Sequence, residues 1–219
     1  MVSVKLASGL AFLREFAQRL RVRRDTAPID SVETLCRFAS TRAAFATQKK
    51  LYGYLKARMG TRYPSMFEDE AFVASVNIAK MHVFAASLSD LTVYAVGRVG
   101  AGTGLDETSR RALARTCFRV GLADNVSQVP DEASMAGWLA AFERRLDEVH
   151  WANLEAGGDA FIESPAALLH WAPVADRLKR YDAEIVENSI RFAWIEIRRD
   201  LARRLDARAV AADGALERG

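Results

Sequence analysis

The stretch AFVASVNIAKMHVFAASLSDLTVYAV (Ala71–Val96) holds only two full charges, Lys80 and Asp90. It has no period-two alternation and no proline, so it reads as a helix. A helix apolar nearly all round is buried rather than amphipathic. This segment, within a helix expected over about Phe67 to Val96, therefore sets the fold class: an all-α helical bundle of about six helices with a long buried central helix. The run is long enough to span a bilayer. Ser75, Asn77, Lys80, His82, Ser87, Ser89 and Asp90 argue against that, since charges at bilayer depth cost several kcal/mol.

Outward from this helix, the prolines punctuate the chain. Pro28, Pro64, Pro130, Pro165 and Pro173 all fall between apolar periodic segments, as expected of a residue expelled from helix interiors. Leu6, Leu10, Leu13, Phe16 and Leu20 give a stripe over Val4 to Arg23. A second helix begins at Asp30, whose spacing to Glu33 matches a capping box, and ends at Met59 before Gly60. Gly97–Gly104 (GRVGAGTG) reads as a flexible linker; it lacks the Gly-Lys-Ser/Thr of a P-loop and the strand of a Rossmann turn. A fourth helix follows Asp106, and a fifth runs from Pro130 to near Gly157. Ser164–Pro165 opens a short helix, and Pro173 opens the last long one. There Val174, Leu178, Tyr181, Ile185, Ile190, Ala193, Ile197, Leu201 and Leu205 mark the buried side.

The organisation expected is a basic amphipathic helix over 1–24, a single helical domain over 25–210 and a frayed tail over 211–219. A chain of 219 residues buries roughly 70% of its unfolded surface and needs no staple. Its two cysteines, Cys36 and Cys117, suggest neither a disulfide framework nor a zinc site, and reduced thiols in a cytoplasmic protein are the plain expectation. The net charge of +3 is uneven. Lys5, Arg14, Arg19, Arg21, Arg23 and Arg24 stand against the single acid Glu15 in the first helix. Such a segment suits an anionic membrane surface or another polyanion, and a solvated helix face is the simpler alternative.

Candidate chemistry is sparse. His82 lies on a stripe with Ser75, Ala79, Ala86 and Ser89, and is either a ligand, a proton carrier or a packed core residue. Lys80 and Asp90 are weak catalytic candidates. They sit about 80° apart around the helix and roughly 15 Å along it, so each needs a partner from another helix or water. Asp147 and His150 have the i, i+3 spacing of a carboxylate–histidine metal site, but a di-iron bundle needs two Glu-x-x-His elements. The triplets His150–Trp151–Ala152 and His170–Trp171–Ala172 read as amphipathic helix ends with each Trp over the core. Arg111, Arg115 and Arg119 on the fourth helix, and Arg199 and Arg203 with Arg204 and Arg208 on the last, could follow a phosphate backbone; interleaved Glu107, Glu196, Asp200 and Asp206 favour ion pairs instead. A helix-turn-helix opening Pro-Asp-Glu puts acids where DNA would lie. No nucleophile elbow is present, and no cofactor is implied.

The stretches LYGYLKARMGTRYPSMFEDEAF (Leu51–Phe72), NIAKMHVFAASLSDLTVYAV (Asn77–Val96) and ENSIRFAWIEIRRDL (Glu187–Leu201) resemble a group of uncharacterised alphaproteobacterial helical proteins. Some of that group carry the label "esterase", which the missing elbow does not support. Leu51–Tyr52–Gly53 and Met81–His82–Val83–Phe84 also resemble the ubiquinol–cytochrome c chaperone family, from which the intervening proline-rich segment departs. Neither resemblance implies site residues. The expected function is a non-catalytic interaction or assembly protein with a protein partner or a second copy, peripheral to a membrane through its first helix. The alternatives are an enzyme or cofactor binder using His82 or His150, and a nucleic-acid-binding protein. If residues 1–24 serve the membrane, full-length protein floats with anionic vesicles and the Δ1–24 form does not; equal recovery of both would sink the idea.

Overall fold

The computed structural model describes residues 25–129, 131–155 and 159–216. Among these the chain is 84% helical with no strand. The helices are α1 (Val32–Met59), α2 (Tyr63–Met66), α3 (Glu70–Thr103), α4 (Glu107–Ala123), α5 (Glu132–Glu148), α6 (Trp151–Glu155), α7 (Glu163–Trp171), α8 (Asp176–Arg204) and α9 (Ala207–Leu216). The first helix expected from sequence, with Lys5, Arg14, Arg19, Arg21, Arg23 and Arg24, lies outside the described residues, as do Pro130 and Gly157.

Helix α3 is the axis. It packs against α1, α4, α6, α7 and α9, and Val83, Leu88, Leu91, Val96 and Val99 on it are fully buried. By length and composition α3 alone among the described helices could cross a membrane, and half of its apolar window is buried here by other helices. Asp69 caps it by accepting from the amides of Ala71 and Phe72.

The glycine stretch is not a linker. The helix runs through Gly97, Gly100 and Gly102 and stops only at Gly104, whose φ of 70° is the left-handed C′ conformation. Missing side chains let neighbours in. A Cβ on Gly100 would collide with the Arg110 guanidinium of α4, and one on Gly102 would crowd Ala207 of α9 at 3.0 Å.

Other boundaries shift for local reasons. Helix α1 is capped by Ser31 with Thr34, each side chain bonding back to the other's backbone; Asp30 and Glu33 do not form the box. Asp213 of α9 accepts from the Val32 amide at 2.8 Å. The final helix thus closes the first, and Val210 within it is fully buried. Order therefore continues past 210 to Leu216, where a frayed tail was expected. The long last helix breaks at Leu205, where the Ile29 amide donates to Arg204 O and the Asp206 amide to Ile29 O, both at 2.9 Å. Helix α5 ends at Glu148 because Val149 turns extended, with ψ 121°. Cys36 and Cys117, 81 positions apart, meet as free buried thiols with Sγ atoms 2.7 Å apart.

The two residues out of place in an apolar helix have different fates. Lys80 is half-buried. Asp90 is fully buried and is answered by α5 and α7. Arg145 donates through Nη1 to Asp90 Oδ1 at 2.7 Å and to Ser89 Oγ at 2.7 Å. The first amides of α7, Glu163 and Ser164, donate to the same carboxylate at 3.1 and 2.8 Å. Burial pushes the Asp90 carboxyl up, opposed by Arg145 and by the donors of Ser164 and Glu163. Ser164 does not cap α7, as its position before Pro165 suggests; Asp90 of another helix does. Removing one member of a buried ion pair costs about 3–5 kcal/mol. Arg145→Met should lose that much stability in urea unfolding, and Asp90→Asn in the same chain should recover part of it. A loss below about 1 kcal/mol would mean that water reaches the pair.

Candidate interaction surface

Helix α8 is held to the body along one side. Trp194, 1% exposed, stacks on Phe161 and donates Nε1 to Ser164 Oγ at 3.1 Å. Arg42 of α1 binds Asp200 at 2.6 Å. Tyr54 and Arg58 of α1 both bind the buried carboxylate of Asp182. Val186, Ile190, Ala193, Ile197 and Leu201 complete this inner face.

The opposite side of α8 is apolar as well and faces solvent, with Arg180 of the same helix over the Tyr181 ring at 4.9 Å and donating to its hydroxyl at 2.7 Å. Leu178, Tyr181, Ile185, Phe192 and Ile195 are 37, 70, 70, 68 and 40% exposed. With Asn188, also exposed, they step by three and four without interruption from 178 to 195. That is the a/d spacing of a helix seam. The core assignment expected for Leu178, Tyr181 and Ile185 is therefore wrong. The clue is in the spacing: Ile185 to Ile190 is a step of five, a turn of about 140° to the other side of the helix. The helix carries two apolar stripes, not one. Single exposed apolar residues need no explanation, but a contiguous row rimmed by charge marks an interaction site.

Several other sequence candidates within the described residues are engaged in packing or ion pairs. His82 lies against Trp171 with ring centroids 3.4 Å apart and planes 3° from parallel. Trp138 donates Nε1 to His82 Nδ1 at 3.1 Å. One nitrogen and one face are thus occupied, and Asp90 is turned to Arg145 rather than toward Lys80 or His82. Asp147 binds Arg111 at 2.7 Å, and His150 falls in the non-helical break before α6, so their i, i+3 helical spacing does not form. No group of three metal-ligating side chains assembles among the described residues. The arginine stripes find acids: Arg111 with Glu107, Arg115 with Glu143 at 2.8 Å, and Arg203 with Asp200. An open cleft of about 240 Å³ beside α8, lined by Arg42, Lys49, Arg199 and Arg203, also holds Glu196 and Asp200, which offset much of its charge.

No family model matches the chain, and no curated protein or solved structure is detectably similar to it. The surface itself carries the functional argument.

Burial pushes the His82 imidazole below its ordinary 6.5; His170 adds to this and Asp131 opposes it. The folded state then binds fewer protons than the unfolded one. The stability from neutral His82 is full above about pH 6.5 and is lost as the pH falls through that value toward the folded pKa. Protonation would also set a second N–H against that of Trp138. The urea midpoint should fall between about pH 7.5 and about pH 5.5, and His82→Gln should flatten that slope; an unchanged slope in the variant assigns it elsewhere.

Proposed function

We propose that this protein is a non-catalytic helical interaction or assembly protein, and that the outer face of α8 is its docking surface. One observation carries the reading: a helix locked to the core by Trp194, Asp182 and Asp200 presents to solvent a second row, apolar but for Asn188. Folding does not explain that row, because the core-facing stripe already anchors the helix. A rigid helix face with aligned apolar side chains is a recognised means of binding a partner helix. Burying such side chains stabilises a complex by about 25 cal/mol per Å² of apolar surface, before the losses of association.

Cytoplasmic location with peripheral membrane attachment is the second part of the proposal, and it rests on the basic composition of residues 1–24. The rival reading, an enzyme or cofactor binder built on His82 or His150, draws less support. His82 has Trp138 on Nδ1 and Trp171 on its face, and His150 stands apart from other ligating groups. Nucleic acid binding is disfavoured by the acids that pair with the arginines of α4 and α8.

The test uses the triple variant Tyr181→Ser, Ile185→Asn, Phe192→Ser. In extracts of the source cell the native chain should elute as a complex larger than its own 24.2 kDa, and the variant at the monomer position. Exposed substitutions shift stability by within about 0.5 kcal/mol each, so the melting temperature should hold. Identical elution of the two forms, or loss of folding in the variant, would overturn the reading.

A further inference from the structure

The register of the exposed row names its partner. We infer that α8 pairs with α8 of a second copy of this chain, antiparallel about a two-fold axis near residues 186 and 187. The inference rests on the outer face of α8 being the docking surface.

The row is self-complementary. Take Leu178, Ile185 and Phe192 as a positions and Tyr181, Asn188 and Ile195 as d positions. In an antiparallel seam each a residue faces a d residue of the other helix. Centred between 186 and 187, Leu178 faces Ile195, Tyr181 faces Phe192, and Ile185 faces Asn188. All six positions find a partner, and each pairing occurs twice. The large rings meet each other, which favours an offset or edge arrangement. The two Asn188 amides fall about 4.5 Å apart along the axis, close enough to bond across it. A single polar residue in such a seam selects register at some cost in stability.

The flanking charges choose the same alignment. Glu184 and Arg191 precede a positions, and in this register Glu184 of one copy lies beside Arg191 of the other, twice per dimer. Both are exposed. Among the described residues Arg191 is paired with Glu187, one turn away and loosely at 3.8 Å. The outer pair of that flank would be Arg177 and Arg198, both exposed; Arg198 leans over the Tyr94 and Phe161 rings of the same chain at 5.1 and 6.0 Å, which draws its charge to one side. A parallel pairing would bring Glu184 beside Ser189, with no charge to meet it.

Residues 1–24 are the nearest rival occupant, because Asp25 is tied to Arg204 at the end of α8 at 2.9 Å. That segment has six basic residues and one acid. Helix α8 has eight basic residues and six acids. Like charge opposes that docking, and the segment offers no pattern matched to Glu184 and Arg191.

The test is charge exchange across the seam in the full-length chain, read by sedimentation. The purified protein should dimerise with a Kd on the order of micromolar, as suits a small helix–helix interface. Glu184→Arg alone and Arg191→Glu alone each turn two attractive pairs repulsive and should weaken the dimer about ten-fold. An equimolar mixture of the two variants restores both pairs in the heterodimer and should recover the native affinity. A mixture no tighter than the single variants overturns the antiparallel register. Native protein monomeric up to roughly 0.1 mM overturns the second copy as partner. In that event the docking reading still stands if complexes in the extract depend on Tyr181, Ile185 and Phe192, and it falls if they do not.

Discussion

The carboxylate of Asp90 is the constraint from which the rest of the structure follows. It sits fully buried two-thirds of the way along an otherwise apolar helix, where an isolated charge would be prohibitive. Two elements converge to satisfy it. Arg145 comes from α5, and the opening amides of α7 aim at it from the other side. The positive end of a helix dipole adds to those bonds. Arg145 in turn reaches Ala160 O at 2.6 Å and Glu163 at 3.0 Å, which fixes the approach of the chain to α7. Ser164, held by Asp90 through its amide, takes the indole N–H of Trp194 on its hydroxyl. The rotation of α8 is thus set by a charge on α3. If α8 were turned by half, its outer row would lie inside and Trp194 would lose its acceptor.

That dependence explains what could be read from the sequence. The helical class, the centrality of α3 and most helix ends were legible, because they depend on local spacing and on proline. The need of Asp90 for a partner was legible too. Its partner was not, because nothing in the spacing of Arg145 marks it apart from Arg144 beside it; only α5 packing decides which of the two turns inward. The glycines of 97–104 misled for a related reason. Glycine weakens a helix by about 1 kcal/mol relative to Ala, and four in one stretch looked like a break. Close contacts from α4 and α9 outweigh that preference, and only the last glycine adopts the conformation that ends a helix.

The outer row of α8 was the largest omission, and its cause is geometric. Apolar residues on both sides of a helix blur the 3.6-residue period, so a list of apolar positions merges two faces into one. Buried polar residues deepen the confusion. Asp182 and Arg204 lie inside, where a hydrophobic count would place nothing, while Phe192 and Ile195 lie outside. The ion pairs to α1 allow this inversion. They hold the N-terminal half of α8 through Asp182 and the C-terminal half through Asp200, so the apolar residues of the other face are not needed for attachment.

The chemistry-bearing residues and the interaction surface divide the molecule. Polar groups that drew attention in sequence are consumed internally: Asp90 orders helices, His82 is held between two indoles, and Asp147 answers an arginine. What remains uncommitted is apolar, and it lies on the helix most firmly braced from behind. A braced face is where docking costs least conformational entropy, since backbone and neighbouring side chains are already fixed. The same buried carboxylate that organises the core therefore also prepares the surface: by fixing Ser164 and hence Trp194, it holds the row from Leu178 to Ile195 outward and in line.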